Sequence, residues 1–168
     1  ATNGDIYFGT GESIFSNVWG GANGASGSIG GGIWKSIDGG LSFQHLPSTS
    51  VIPNNLNDGW SAVAEMASDP VDSNRIYACT KGGMKVSSDG GLTWDNGPLG
   101  NITFMDVEVA SDGSVYASTS NKIYYSPNGD VGTYELLEIG TVFGGGSGRI
   151  AIAIAPSVLP ADFSRLGE

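Results

Sequence analysis

The sequence predicts an all-β protein built from repeated four-stranded antiparallel units. A nine-residue pattern centred on Asp-Gly-Gly occurs twice and returns a third time in a degenerate form. Strand-forming Val, Ile, Thr, Tyr and Trp are well represented, while helix-forming Leu, Lys and Glu are sparse. The 28 glycines among 168 residues indicate many turns, because they follow no collagen-like period.

The best copy of the pattern, residues 86–94, reads Val-Ser-Ser-Asp-Gly-Gly-Leu-Thr-Trp. It predicts a strand that runs into a tight turn and returns as a second strand, because glycine permits positive φ. Asp89 can accept hydrogen bonds from the amides that follow it, and Ser87 and Thr93 can bond the turn backbone. Trp94 is predicted to anchor the hairpin by burying a large ring.

Two further copies lie before and after this one, at residues 35–43 and 125–134. The pattern positions are Ser36, Asp38, Gly40 and Phe43 in the first copy, Ser87, Asp89, Gly91, Thr93 and Trp94 in the second, and Ser126, Asn128, Thr133 and Tyr134 in the third. The copies lie roughly 40 to 50 residues apart, which suits repeats of four strands each.

The pattern Ser-x-Asp-x-Gly-x-Thr-Trp resembles the Asp box, also called the bacterial neuraminidase repeat. Sialidases, xyloglucanase-like endoglucanases, sortilin-type receptors and uncharacterised secreted bacterial proteins carry such boxes. The resemblance implies a β-propeller of four-stranded antiparallel blades. It also implies that each box is a structural hairpin between the third and fourth strands of a blade, away from the active face.

The strand pattern divides the chain into about three blades, which is only part of a propeller. Residues 1–57 are predicted to supply strands two to four of one blade, and residues 58–100 and 101–140 two complete blades. Residues 141–168 are predicted to hold the first strand of another blade, at residues 149–155, and a tail. The chain is therefore either one piece of a larger propeller, which we favour, or a unit whose copies assemble by lending the last strand, or an incomplete one.

The formal net charge of −10 disfavours nucleic acid and anionic membrane surfaces as partners, since both attract cationic proteins. No apolar run approaches the length needed for membrane insertion. Cys79 stands alone in an apolar strand, so we expect a small buried hydrophobe and no internal disulfide. The first residue is Ala1, which fits a mature secreted or cell-surface protein or an excised fragment.

Catalytic residues are weakly indicated. The resemblance to xyloglucanase-like enzymes implies a catalytic aspartate in a Thr-Asp-x-Gly-Gly stretch, but Lys81 stands at that position in residues 80–83. Asp106 and Glu108 lie on one predicted strand and share a face. They either line a polar channel or form a catalytic pair. Arg149 begins a stretch similar to the first-arginine motif of sialidases, with Ala151 where proline is expected.

Aromatic residues in the predicted loops favour a binding function. Phe15 and Trp19 lie in a glycine-rich loop at residues 11–32, and Trp60 lies where the next blade begins. Aromatic faces suit sugars and peptide grooves, although such rings also pack back onto blades. The strand order predicts Trp19 and Trp60 on one face of the propeller and the boxes on the opposite face.

These patterns predict a secreted or cell-surface binding or adhesion module whose ligand is a glycan or a protein. The alternative is a fragment of a propeller glycoside hydrolase, xyloglucanase-like or sialidase-like, whose missing blades supply further catalytic groups. We expect no cofactor and no metal, because the acidic residues lack calcium-loop spacing and His45 has no cysteine or histidine partner. The expected partners are the remaining blades or further copies of the chain, and a glycan or surface protein.

Overall fold

The computed structural model of the chain describes residues 1–11, 28–55, 57–97, 100, 102–137 and 149–155. Within them the structure is all-β, with eleven strands and one 3₁₀ turn at Pro47–Thr49. The first sheet contains β1 (Ile6–Gly9), β2 (Ile33–Ser36) and β3 (Gln44–His45). The second sheet contains β4 (Val63–Ser68), β5 (Ile76–Thr80), β6 (Gly83–Ser87) and β7 (Asp95–Asn96). The third sheet contains β8 (Asp106–Val109), β9 (Val115–Ser118), β10 (Ile123–Ser126) and β11 (Glu135–Leu136).

All three sheets are antiparallel meanders, in which each strand pairs with the next one along the chain. The box serines mark one end of the sheets, because Ser36 pairs with Ile6 at the start of β1 and Ser87 pairs with Ile76 at the start of β5. We call this end the box face. We call the opposite end, where β1 ends and β4 begins, the loop face.

Apolar side chains fill the spaces between neighbouring sheets. One cluster joins the second and third sheets around Tyr77, Phe104 and Val115, all fully buried. The other joins the first and second sheets around Ile33 and Ala78. Because the innermost strands β4 and β8 also pack on each other, the sheets stand side by side as the blades of a propeller do. The predicted fold class, an all-β partial propeller of four-stranded antiparallel blades, is confirmed. The blade boundaries within the sequence stay a prediction.

The segment at residues 149–155 differs from its prediction. The sequence predicts a strand there, but the segment does not join a β-ladder. A strand needs a neighbour for its backbone groups, and no described strand pairs its backbone with this segment. The outer strands are also shorter than the sequence pattern suggests, since β11 contains only Glu135 and Leu136.

Candidate functional site

The second box is closed by hydrogen bonds between its own side chains and backbone. The Asp89 carboxylate accepts the N–H of Thr93 at 2.9 Å and the Thr93 hydroxyl at 2.5 Å. The Ser87 hydroxyl donates to the same carboxylate at 2.8 Å and accepts the N–H of Gly91 at 2.8 Å. The indole N–H of Trp94 donates to the Gly91 carbonyl at 3.2 Å. These bonds join the side chains of the box to the backbone of its turn.

The first box repeats this arrangement, and the third keeps only part of it. Asp38 accepts the N–H of Ser42 at 2.9 Å and its hydroxyl at 2.6 Å, while Ser36 accepts the N–H of Gly40 at 2.9 Å. In the third box the amide of Asn128 replaces the carboxylate and accepts the Thr133 hydroxyl at 3.0 Å. A neutral amide oxygen is a weaker acceptor than a carboxylate, so the third hairpin is held less tightly.

The two box aspartates link stability to pH. Hydrogen bonds from the Ser42 side chain and backbone lower the pKa of Asp38 to about 2, and those from Thr93 lower the pKa of Asp89 to about 2. Because the folded pKa is below the unfolded value of 3.8, the stabilisation is complete above about pH 4 and is lost as the pH falls through 2.

Replacing both aspartates with asparagine is expected to flatten the acid limb of the stability curve. Thermal melts between pH 7 and pH 2 compare the wild type with the D38N/D89N double variant. Below pH 4 the Tm of the wild type should fall by more degrees than that of the variant. At pH 7 the Tm of the variant should already be lower than that of the wild type. Parallel curves across this range would show that the carboxylates do not carry the effect.

The loop face brings together segments of two blades. The N–H of Gly30, just before β2, donates to the Ser61 carbonyl at 2.8 Å, and the N–H of Val63 donates to the Thr10 carbonyl at 3.0 Å. The Gly82 N–H in the β5–β6 turn donates to the Gly59 carbonyl at 3.1 Å. The backbone that carries Trp60 therefore lies at the end of the sheets opposite the boxes.

Trp60 itself turns toward the interior. Its half-buried ring contacts Trp94 edge to face, with ring centroids 5.2 Å apart. It also packs against the cluster of Ile33, Leu46 and their neighbours between the first two sheets. Packing onto the blades is one of the two roles that the sequence leaves open for Trp60, and the contact supplies it. The ligand role of Trp60 stays a prediction. Phe15 and Trp19 lie outside the described residues.

Asp106, one of the two weak catalytic candidates, is almost fully buried. Its carboxylate accepts the backbone N–H of Ile152 at 2.8 Å and lies 3.9 Å from the guanidinium of Arg149. The Ser118 hydroxyl, on the neighbouring strand, donates to the Ile150 carbonyl at 2.6 Å. Asp106 therefore holds residues 149–155 against the third sheet.

Glu108 lies on the same face of β8 and is half-buried. Burial raises its pKa, and the negative charges of Asp106 and Glu65 raise it further. A carboxyl group of this kind can keep its proton nearer neutral pH than an exposed one. Glu108 is therefore the better acid of the pair, while Asp106 is engaged by the backbone.

The sequence does not predict the ion pair above these acids. Arg149 contacts the carboxylate of Glu65, on β4, at 3.1 Å. The two residues lie 84 positions apart, and nothing in their local patterns connects them. The packing of β4 beside β8 brings Glu65 and Asp106, from two blades, within reach of the same arginine.

The described residues meet the requirements neither of a metal site nor of a reactive thiol. The described residues contain no group of three side chains arranged to hold a metal ion. Cys79 is fully buried, and burial raises the pKa of its thiol well above the ordinary value. Such a thiol stays protonated and unreactive. The described part of the chain also contains no helix suited to crossing a bilayer.

Comparisons find similarity to solved structures only, since no family model and no curated protein matches the chain. The GH74 enzyme of Niastella koreensis is 22% identical over 62% of this chain and 18% of that one, with a TM-score of 0.47. The GH74 xyloglucanase from Xanthomonas campestris is 17% identical over 63% and 19%, with a TM-score of 0.46. YCF48, solved bound to D1 peptide, is 15% identical over 64% and 34%, with a TM-score of 0.41.

The chain thus spans between 18% and 34% of the length of these three structures. The activities and ligands of those proteins are not carried over to it at these identities.

Proposed function

We propose that the chain is a propeller segment with a binding or adhesion function, and that it acts outside the cell or at its surface on a glycan or protein ligand. The observation that carries this proposal is the engagement of Asp106. A catalytic carboxylate of an inverting hydrolase must face a substrate and a water molecule. Asp106 is 3% exposed and accepts a backbone N–H, so it is poorly suited to that role.

The loop face is the proposed ligand site. Backbone from the first and second blades meets there, through the bonds of Gly30 to Ser61 and of Val63 to Thr10. Loops at the end of a rigid sheet scaffold are the usual carriers of binding residues. The glycine-rich loop that holds Phe15 and Trp19 leaves and re-enters the sheets at this face, between β1 and β2.

Glycan-array binding tests this proposal. Trp19→Ala is expected to weaken binding by roughly 1–3 kcal/mol if the ring stacks on the ligand, with an unchanged melt. The control variant is Leu41→Ala, which removes a side chain 89% exposed at the box face. Equal losses for both variants, or no binding by the wild type, would count against the loop face.

A glycoside hydrolase remains the second candidate, and the raised pKa of Glu108 is the observation that favours it. A partly buried carboxyl group with a raised pKa can serve as a general acid. If the chain belongs to a hydrolase, Glu108→Gln should lose turnover of a polysaccharide while it retains binding. Polysaccharide cleavage that disappears in this variant would replace the binding proposal with an enzymatic one.

A further inference from the structure

In the part of the chain that the structure describes, the first sheet has no counterpart of the innermost strands β4 and β8. In the described residues β1 pairs only with β2, whereas its counterparts β5 and β9 each pair on both sides. Ile33 turns its backbone toward β3, since its carbonyl accepts the N–H of Leu46 at 2.9 Å. Because backbone direction alternates along antiparallel strands, Tyr7 and Gly9 point their N–H and C=O groups toward the unpaired edge of β1.

Residues 149–155 have the exposure pattern of a strand but pair with no strand in the described part of the chain. Residues 149–155 lie against the third sheet through Asp106 and Ser118, in the place where the first strand of a following blade belongs. Their exposure alternates, with the three isoleucines half-buried and the alanines exposed. This is strand-like periodicity in a segment without a ladder partner among the described residues.

The outward side of the first sheet also matches a blade interface. Phe8 and Trp34 hold the positions that Ala117 and Tyr124 hold in the third sheet, as counted from the box serine in each register. In the third sheet these positions are buried against the second sheet. In the first sheet Phe8 is 40% exposed and stacks on Trp34 with ring centroids 6.2 Å apart.

A tyrosine of the first sheet and one of the second each reach the box of the following sheet. The Tyr7 hydroxyl, on the first sheet, donates to the Gly90 carbonyl in the second box at 3.2 Å. Tyr77, at the same position of the second sheet, lies so close to Gly129 in the third box that an added Cβ would overlap its hydroxyl. The third sheet carries Tyr116 at this position. The corresponding glycine of the first box, Gly39, has open space around it, with no atom within 4 Å of an added Cβ.

We propose that a second copy of this chain completes the first sheet. Residues 149–155 of that copy pair with the unpaired edge of β1, and its third sheet covers Phe8 and Trp34. Its Tyr116 then reaches the backbone of Gly39, as Tyr7 reaches Gly90 within one chain. One partner would account for four separate features. They are the unpaired edge of β1, the unpaired segment at residues 149–155, the aromatic surface of Phe8 and Trp34, and the open space around Gly39.

The described sheets suit a pair of copies. Propellers have roughly four to eight blades, and the described residues of one chain form three sheets. A pair of copies that exchange these strands brings six such sheets together, which lies within that range. The groove of about 380 Å³ between residues 152–155 and Tyr116 faces the partner sheet in this arrangement. The proposal is independent of the ligand proposed for the loop face.

Sedimentation of the 168-residue chain over a concentration series tests the proposal, with a dimer of the 17.2 kDa chain as the expected species. Gly39→Asp and Tyr116→Lys should each raise the dissociation constant at least about tenfold, and the double variant should recover much of the loss by pairing the new charges. Aspartate tolerates the positive φ of 72° at Gly39, so folding is retained.

The matched control is Gly132→Asp, which adds the same side chain at another open glycine of positive φ. It should leave the dimer unchanged, and circular dichroism should show all variants folded. A wild type that stays monomeric throughout would overturn the proposal and indicate that these surfaces await blades of another kind. A dimer that responds equally to Gly39→Asp and Gly132→Asp would overturn the assigned contact.

Discussion

Replacing Gly32 with alanine is expected to cost roughly 3 kcal/mol or more of the free energy of unfolding. Gly32 has a φ of 80°, and an added Cβ would overlap the Thr49 carbonyl oxygen. Thr49 cannot move away easily, because its hydroxyl accepts the N–H of Ile33 at 2.9 Å and donates to the Leu46 carbonyl at 2.8 Å. The clash therefore strains the start of β2 and the 3₁₀ turn together.

Urea melts of Gly32→Ala and Gly132→Ala separate the clash from the backbone preference. Gly132 has a φ of 92° and no atom near an added Cβ, so its variant should lose only about 1 kcal/mol. If both variants lose the same free energy, the close approach of Thr49 to Gly32 does not exist in solution.

Trp94→Ala is expected to destabilise the fold by about 3 kcal/mol, at the lower end of the range for tryptophan because the ring is half-buried. The variant removes the indole bond to Gly91 and the packing on Trp60. Trp60→Ala should also lower the Tm, since the structure packs this ring between the first two sheets.

A double-mutant cycle measures how far the two rings act together. The coupling free energy between Trp60→Ala and Trp94→Ala should be about 0.5–1.5 kcal/mol, as for other edge-to-face aromatic pairs. Leu92→Ala, which changes a side chain 71% exposed, should leave the melt within about 0.5 kcal/mol of wild type. Additive losses for the two tryptophans would mean that their contact contributes little.

The sequence predicts what is local and misses what is distant. The Asp89 hairpin follows from residues two to four positions apart, so its pattern alone reveals its bonds. The face shared by Asp106 and Glu108 follows from strand alternation. The bond between Asp106 and Ile152 spans 46 positions. The contact between Trp60 and Trp94 joins the connection into β4 to the turn between β6 and β7. Neither contact produces a repeating pattern in the sequence from which it could be predicted.

The strand predicted at residues 149–155 also depends on a contact that the local sequence does not contain. Its alternation of isoleucine and alanine is strand-like, and the structure preserves that alternation in its exposure. Whether such a segment joins a ladder depends on a neighbour rather than on its own residues. The sequence can describe the surface of a strand but not the presence of its partner.

The closure of each box within its own hairpin has a consequence for the order of folding. A turn whose side chains bond residues four positions away, as Asp89 does with Thr93, costs little loop-closure entropy and can form in microseconds. The contact of β4 with β8 joins strands about 40 residues apart. Forming it costs more loop-closure entropy before any apolar surface is buried. The box face should therefore organise first as three independent nuclei, and the loop face should take shape only when the sheets come together.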